Sequence, residues 1–318
     1  MSQAPLVHSG LRYQEIEGWA KLPIEVKLGE VSAVAVGEND SLFACTRGEH
    51  PLVVFDRDGN VIRTFGHDVF TSPHGLHMGP DGCLYCTDAG DHTVRRCTPE
   101  GRVLLEIGVS GQSAAFMSGQ PFNCCTHTAL SPQGEIYVAD GYGNACVHKY
   151  SPDGRLLHTW GHSGCGPGEF YIPHNLVCDP EGWVYVADRE NHRVQVFDGQ
   201  GRFETQWTGL HRPCALCRSS GGLFFVGSLG PFLTPFLHFP NLGPRLEILD
   251  ARGNAVAGLG DGPAGMGPGR FVAPHGIAVD SNENIYVAEV SYTAWQWVFP
   301  NTPRPRVLPT LRKFRRLP

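Results

Sequence analysis

The sequence predicts an all-β protein, a six-bladed β-propeller, and three observations support this fold class. The chain has 40 glycines and 25 prolines among 318 residues, which favours frequent turns over long helices. Short strands of alternating apolar and polar residues recur between these turns. Six copies of one four-strand pattern follow one another, each of about 40 to 50 residues, which is the size of a propeller blade. A β-sandwich, the alternative architecture, does not explain this repeat period.

The clearest copy of the repeat is the stretch IPHNLVCDPEGWVYVADRENHRVQVF, residues 172–197. It opens with a Pro-His pair and a short apolar run, turns at DPEG, and continues as a strand that ends in Ala187-Asp188. A second turn leads to another alternating strand from Arg193. Short strands joined in this way are typical of an antiparallel meander.

The remaining copies have their strands in the same order, and each has its own equivalent of the central turn. The second strand of each copy is expected near 42–45, 84–88, 136–140, 223–226 and 285–289. The fifth copy is degenerate, with an insertion at 228–244. The sixth lacks a fourth strand after 310–315, and residues 13–19 resemble that strand. We therefore expect the N-terminal strand to complete the last blade and close one domain spanning residues 1–318.

Charge and cysteine content limit the function classes. The formal net charge of −6 provides no basic surface for nucleic acid. The first residues lack the pattern of a signal peptide, and no apolar run has the length of a membrane span. Eleven cysteines, an odd number, do not suggest a disulfide framework. The sequence thus predicts a cytoplasmic protein with no nucleic-acid or membrane partner.

The two CxxC pairs, Cys83/Cys86 and Cys214/Cys217, are not predicted to bind zinc. Strand residues three apart point to opposite faces, and neither pair has a second CxxC at the spacing of a zinc site.

Histidines recur at one position of the repeat, eight residues before the glycine of the central turn. In a propeller this position lies at the start of the strand that lines the channel. In the six copies it is occupied by Ser32, His74, Thr126, His174, Cys214 and His275. Histidines in alternate blades, about 120° apart by the approximate six-fold symmetry, can meet at one point. The alternative is that each imidazole only hydrogen-bonds a neighbouring backbone group.

Three neutral histidines predict a metal site with an open coordination position, which is the catalytic pattern for Zn²⁺. Fe²⁺, Mn²⁺, Co²⁺ and Ni²⁺ also suit imidazole ligands. The bound metal would polarise an oxygen or lower the pKa of its proton.

Several phrases resemble those of the peptidyl-α-hydroxyglycine α-amidating lyases, six-bladed propellers of the NHL-repeat class. They include IYVADGYGNACVHKYSPDGRLLHTWG, the 172–197 copy and APHGIAVDSNENIYVAE. These lyases split the N–C bond of a peptidyl-α-hydroxyglycine into an amide and glyoxylate. The resemblance implies that His74, His174 and His275 are zinc ligands. It also implies that Tyr142 is the catalytic tyrosine, Arg47 the active-site arginine and Arg189 a further arginine of the substrate pocket.

The implied residues can be checked against the chemistry. Cleavage of a carbinolamide requires removal of its hydroxyl proton, and an ionised tyrosine could be the base. Arg47 could neutralise a substrate carboxylate through two parallel hydrogen bonds. All three of Arg47, Tyr142 and Arg189 are expected in comparable loops just past a second strand. Without the resemblance, Tyr142 could equally be an aromatic residue that packs on a neighbouring blade.

The chain departs from the family pattern at two of its motif positions. Gly276 stands where the lyases have an Asp that helps hold a structural Ca²⁺, which puts that calcium site in question. Gly143 replaces a cysteine that forms a disulfide in the secreted lyases. No copper-monooxygenase domain is visible in the sequence. The expected substrate is therefore a small molecule, such as a hydroxyglycine derivative or another α-hydroxy-N-acyl compound.

Two other function classes stay open. A metal-dependent hydrolase acting on a lactone would also use a channel metal, but commonly with carboxylate or Asn ligands, which the six ring positions lack. A non-catalytic NHL-type module would bind a protein and need no metal. The apolar insertion 228–244 could cap the channel or form a homo-oligomer contact.

Overall fold

The computed structural model describes residues 6–8, 10–237, 239 and 241–318. These residues form 25 β-strands, one α-helix and three short 3₁₀ helices. The strands make six antiparallel sheets, named blades 1 to 6 in chain order, and the fold is the predicted six-bladed β-propeller. Contacts divide the chain into two compact units, Phe65–Pro213 and the chain on either side of it. That the whole chain is a single domain stays a prediction.

Two strands precede blade 1, namely β1 (Leu6–His8) and β2 (Leu11–Glu15). Blade 1 consists of β3 (Val31–Val36), β4 (Leu42–Thr46), β5 (Leu52–Phe55) and β6 (Val61–Phe65). A 3₁₀ helix at Glu38–Asp40 lies in its first turn.

Blades 2, 3 and 4 each consist of four sequential strands. Blade 2 contains β7 (Pro73–Met78), β8 (Leu84–Asp88), β9 (Thr93–Cys97) and β10 (Val103–Ile107). Blade 3 contains β11 (His127–Leu130), β12 (Ile136–Asp140), β13 (Cys146–Tyr150) and β14 (Leu156–Trp160). Blade 4 contains β15 (Pro173–Cys178), β16 (Val184–Asp188), β17 (Arg193–Phe197) and β18 (Phe203–Trp207), with a 3₁₀ helix at Arg189–Asn191.

Blades 5 and 6 carry the departures from the regular pattern. Blade 5 contains β19 (Pro213–Arg218), β20 (Phe224–Ser228), β21 (Arg245–Leu249) and β22 (Ala255–Leu259), with a 3₁₀ helix at Thr234–Phe236 in its insertion. Blade 6 contains β23 (Pro274–Val279), β24 (Ile285–Glu289) and β25 (Leu311–Leu317). The α-helix α1 (Ser291–Val298), which was not predicted, lies between β24 and β25 and buries Ala294 and Trp295.

The second strand of every blade is buried along its whole length, whereas the fourth strands β10, β14 and β18 are largely exposed. Apolar side chains of neighbouring blades meet across this buried layer, for example Tyr137 and Val147 of blade 3 with Leu176 of blade 4. A strand buried on both faces needs a continuous apolar run, which is why phrases such as VYVA recur.

The central turn of the repeat is held by its aspartate. In blade 4, the Asp179 carboxylate accepts hydrogen bonds from the backbone N–H groups of Glu181 and Trp183, at 3.0 and 2.8 Å. Gly182 has a φ of +90°, a left-handed conformation that glycine adopts without a steric cost. The turn therefore sets the hairpin between β15 and β16.

Blade 6 is completed by the N-terminal strand, as predicted. Strand β2 pairs antiparallel with β25, and Glu15 lies opposite Phe314. The predicted strand at 13–19 is in fact Leu11–Glu15, because the chain turns at Glu17 and Gly18. Strand β1 adds a fifth strand to this sheet.

Two observations bear on the expected environment of the protein. All eleven cysteines are free thiols. Within the described residues, no helix is long and apolar enough to span a membrane. The cytoplasmic location stays a prediction.

Candidate metal centre

Each of the three ring histidines occupies a β-bulge at the start of its blade's first strand. The register between first and second strand shifts between Pro73 and Gly75, and the same shift occurs around His174 and His275. The histidine is therefore the extra residue of the pair of strands. Because a bulge re-aims the side chain of the extra residue, all three imidazoles leave the alternation of their strands in the same way.

The backbone fixes the tautomer of two of these histidines. The Nδ1 atom of His74 lies 2.8 Å from the carbonyl oxygen of Thr126, and that of His275 lies 2.7 Å from the carbonyl oxygen of Ser32. A carbonyl only accepts hydrogen bonds, so Nδ1 carries the proton and Nε2 offers its lone pair. The hydrogen bond to the backbone therefore does not argue against metal binding. It also leaves Nε2 unprotonated, as a metal ligand requires.

Within the Phe65–Pro213 unit, Tyr142 lies between two of the histidines. Its hydroxyl oxygen is 3.1 Å from Nε2 of His74 and 2.9 Å from Nε2 of His174. The two imidazole rings, buried and 4.9 Å apart between centroids, converge on this oxygen. The structure thus brings together three of the residues predicted from the sequence.

Arg189 completes this group. Its Nη1 is 3.4 Å from the Tyr142 hydroxyl oxygen, and its guanidinium lies over the tyrosine ring at 5.5 Å. On its other side, Nε donates to Glu190 at 2.8 Å. Burial alone would raise the pKa of Glu190, but Arg212 and Arg189 outweigh it and hold this pKa below its ordinary value. Glu190 is therefore a stable anion that positions Arg189.

Close backbone packing positions Tyr142 itself, which the sequence analysis did not foresee. A Cβ atom at Gly141 would lie 2.1 Å from the carbonyl oxygen of Pro173, and one at Gly143 would lie 2.1 Å from Oδ1 of Asn123. Neither position has room for a side chain without a shift of its neighbours. A cysteine at position 143 would therefore require the Asn123 side chain to shift.

Arg47 lies in the other unit, directly after β4, as the repeat alignment predicts. Its guanidinium donates to Glu30 at 2.9 Å and to the Thr293 hydroxyl at 3.4 Å. Glu30 also accepts the backbone N–H and the hydroxyl of Thr293, both at 2.7 Å. The role of Arg47 in catalysis stays a prediction.

His74, His174 and His275 are ligands of the type that the sequence analysis predicted, and that they share one metal ion stays a prediction. Neutral imidazoles with a free Nε2 suit Zn²⁺ and other divalent transition metals, so the residues fit the implied cofactor. The calcium site of the lyases is different. Position 276 is glycine, and a Cβ there would lie 2.8 Å from the Cα atom of Ala33, so an aspartate has no room without a backbone shift.

Comparison with known proteins places the chain in a family. The NHL repeat model matches residues 122–150 and 170–197. NHL repeat-containing protein 3 of Mus musculus is 30% identical over 286 residues, which cover 86% of this chain and 80% of the mouse protein. The chain belongs to the NHL-repeat proteins.

Amidating enzymes are among the NHL-repeat relatives. The chain is 32% identical over 255 residues to peptidyl-α-hydroxyglycine α-amidating lyase 1 of Drosophila melanogaster, covering 73% of this chain and 45% of the fly protein. It is 27% identical over 322 residues to peptidyl-glycine α-amidating monooxygenase B of Xenopus laevis, covering 87% of this chain and 34% of that protein. The chain thus spans less than half the length of these two enzymes.

Solved structures support the propeller fold of this NHL-repeat chain. A streptogramin B lyase superposes with a TM-score of 0.62 at 10% identity, covering 96% of this chain and 98% of that chain. A gluconolactonase from Xanthomonas campestris superposes with a TM-score of 0.61 at 13% identity, covering 99% of this chain and 95% of the gluconolactonase chain. At such identities the likeness concerns the fold alone.

Proposed function

We propose that this NHL-repeat protein is a metal-dependent lyase. It would cleave the C–N bond of an α-hydroxy-N-acyl compound, such as a hydroxyglycine derivative, and release an amide and glyoxylate. The observation that carries the proposal is the Tyr142 hydroxyl, which lies within 3.1 Å of Nε2 of both His74 and His174. The relatives named as amidating lyases support the same reaction class.

His74, His174 and His275 would hold the metal, with Zn²⁺ as the first choice and other divalent transition metals as alternatives. When bound, such an ion supplies Lewis acidity toward a substrate oxygen. The fixed tautomers of His74 and His275 place a lone pair on Nε2 of each ring, and the Nε2 atom of His74 faces the Tyr142 hydroxyl at 3.1 Å.

Tyr142 would move the proton. In the reaction the C–N bond breaks, the hydroxyl carbon becomes the aldehyde carbon of glyoxylate, and the hydroxyl proton ends on the amide nitrogen. The Arg189 guanidinium, 3.4 Å from the Tyr142 oxygen, favours the ionised phenol because an adjacent positive charge stabilises an anion. Tyr142 can then accept the hydroxyl proton and return it to the leaving nitrogen.

The arginines would bind and orient the substrate. Arg189 is held by Glu190 on one side and faces the Tyr142 hydroxyl on the other, so it can position the phenol. We propose that Arg47, anchored by Glu30, pairs with the substrate carboxylate. A guanidinium suits this task because its parallel N–H groups match the two carboxylate oxygens.

The test uses N-benzoyl-α-hydroxyglycine as substrate and measures benzamide and glyoxylate. Tyr142→Phe should lower kcat by about 100-fold or more, because a proton-transfer group contributes on the order of 10² to 10⁴, while the fold is retained. Tyr171→Phe is the matched control, since Tyr171 is 58% exposed, and it should retain wild-type activity.

Other outcomes would decide against the lyase. Full activity of Tyr142→Phe would remove Tyr142 from the mechanism. Hydrolysis of a lactone such as δ-gluconolactone without glyoxylate release would favour the hydrolase alternative. A protein that carries no metal even after reconstitution, and releases no glyoxylate, would favour a protein-binding module.

A further inference from the structure

A buried carboxylate closes the second strand in each of three blades, and each one is paired with an arginine. The distances are 3.7 Å for Asp88–Arg95 in blade 2, 2.8 Å for Asp188–Arg193 in blade 4 and 2.7 Å for Glu289–Arg312 in blade 6. Each carboxylate also accepts backbone N–H groups from the segment before the first strand of its blade. A permanent cation therefore balances a buried structural anion in all three blades.

Blade 3 keeps the carboxylate but lacks the arginine. Asp140 accepts the backbone N–H of Asn123 at 3.1 Å, like its counterparts. In the described part of the chain, however, no lysine or arginine pairs with it. Cys146 lies opposite Asp140 in the strand register, which is the position that Arg193 holds opposite Asp188. His148, two residues along the same strand, lies opposite Val138, the register position that Arg95 holds in blade 2 and Arg312 in blade 6. The Asn144 side chain also donates to Oδ2 of Asp140, at 2.8 Å.

Asp140, Cys146 and His148 form a compact group, and all three are buried. The Nε2 atom of His148 is 3.2 Å from Oδ2 of Asp140 and 3.5 Å from Sγ of Cys146, and all three ligand atoms lie within 4.8 Å of one another. Bonds of about 2.0 to 2.3 Å to a tetrahedral Zn²⁺ place its ligand atoms roughly 3.3 to 3.8 Å apart. The two distances from Nε2 of His148 are close to this range.

We propose that Asp140, Cys146 and His148 bind a divalent transition metal, with Zn²⁺ as the best match, at a second site inside blade 3. Sulfur, imidazole and carboxylate are the ligand types that Zn²⁺ takes in proteins. The site is separate from the three-histidine group and does not depend on the proposed lyase activity.

Charge balance supports the second site. Zn²⁺ with one thiolate, one carboxylate and one neutral imidazole has no net charge, as has an Arg⁺–Asp⁻ pair. Metal binding displaces the Cys146 thiol proton to solvent. The metal would thus supply the positive charge that an arginine supplies in the other three blades.

The environment of His148 fits a ligand. Its Nδ1 lies 2.8 Å from the Thr159 hydroxyl, and Phe122 packs edge-on against its ring at 5.5 Å. A hydroxyl that accepts from Nδ1–H leaves the lone pair on Nε2, toward Asp140 and Cys146. The competing arrangement is a protonated His148 that pairs with Asp140 and needs no metal.

Reconstitution with Co²⁺ separates these two arrangements. Thiolate ligation gives a near-ultraviolet sulfur-to-Co²⁺ charge-transfer band, which a site of three histidines cannot produce. We expect the band in the wild type and in His174→Ala, and its loss in Cys146→Ser. Cys97→Ser is the matched control, because Cys97 is also a buried third-strand cysteine, and it should keep the band.

Elemental analysis should agree, with about two metal ions per chain in the wild type and about one in Cys146→Ser and in His174→Ala, if each site holds one ion. If Cys146→Ser does not fold, X-ray absorption of the wild-type zinc protein decides, because one sulfur neighbour at about 2.3 Å is expected. A folded, metal-loaded wild type without the charge-transfer band and without a sulfur neighbour would overturn the proposal. So would a band that persists in Cys146→Ser.

Discussion

The guanidinium of Arg189 makes contacts on two sides. Nε donates to Glu190 while Nη1 faces the Tyr142 hydroxyl, and the group lies over the tyrosine ring. A lysine ammonium is a single point charge on a flexible stem, so it cannot hold all of these contacts at once. Shape as well as charge therefore matters at this position.

Arg189→Lys should lower kcat/KM for N-benzoyl-α-hydroxyglycine by about tenfold, which corresponds to about 1.4 kcal/mol of transition-state stabilisation. Thermal stability and metal content should stay close to those of the wild type. The control is Arg202→Lys, because Arg202 has an 81% exposed side chain on the surface. Equal activity of the two variants would show that Arg189 contributes no more than a surface arginine.

The sequence could predict these residues but not their contacts. Repeat alignment placed Tyr142 and Arg189 just past their strands, and the family resemblance suggested their roles. That the Tyr142 oxygen lies between two imidazoles depends on the β-bulges at His74 and His174. A bulge is one extra residue in one strand, and an alternating apolar pattern does not reveal it.

At the scale of an element, the loop after β12 is fixed by the two glycines that flank Tyr142. Its Gly143 N–H donates to the carbonyl of Asn123 at 2.9 Å, and the Asn123 side chain fills the space where a Cβ would lie. The loop is thus held by close contacts, and a Cβ atom at Gly143 must move the Asn123 side chain.

Gly143→Ala should displace this loop. We expect a loss of stability of about 1–3 kcal/mol from overpacking, measured by urea unfolding. We also expect a fall in kcat of up to about 100-fold, because a displacement of about 1 Å can cost this much. Gly267→Ala is the control, since a Cβ there meets no atom within 4 Å. An unchanged kcat would mean that the loop adapts without moving Tyr142.

Element prediction was most successful where burial dictates the sequence. The second strands, buried on both faces, were placed within two residues of their observed bounds in every blade from their apolar runs. The helix α1 was missed, because it interrupts a blade and follows no repeat. The Asp140, Cys146 and His148 group was missed too, since its members are recognisable only by comparison with the Arg–carboxylate pairs of other blades.

At the scale of the whole molecule, the insertion in blade 5 presents apolar surface. Leu233 and Phe239 are 65% and 55% exposed, and Phe232 packs against Trp297 of α1 at 5.2 Å between ring centroids. Exposed apolar groups of this kind often mark a contact with another molecule. We propose that this surface is a homo-oligomer contact.

Leu233→Ser combined with Phe239→Ser should lower the molar mass in solution, measured by light scattering, to that of a single chain, because it removes the apolar area of the contact. Ile24→Ser is the control, since Ile24 is 96% exposed and lies outside the insertion. An unchanged mass together with a raised KM would favour the alternative role, a cap over the substrate channel.

The pairing of β2 with β25 also affects how the protein can be made. Glu15 forms an ion pair with Arg312, 297 positions later in the chain, so β2 leaves the ribosome long before its partner strand exists. At about 5–20 residues per second, this interval is roughly 15–60 s. During this interval β2 cannot pair with β25. The strand edge that β25 will cover is then free and could pair with a strand of a neighbouring nascent chain. Translation speed over the final blade, rather than any local propensity, would then set how much of the protein reaches the closed ring.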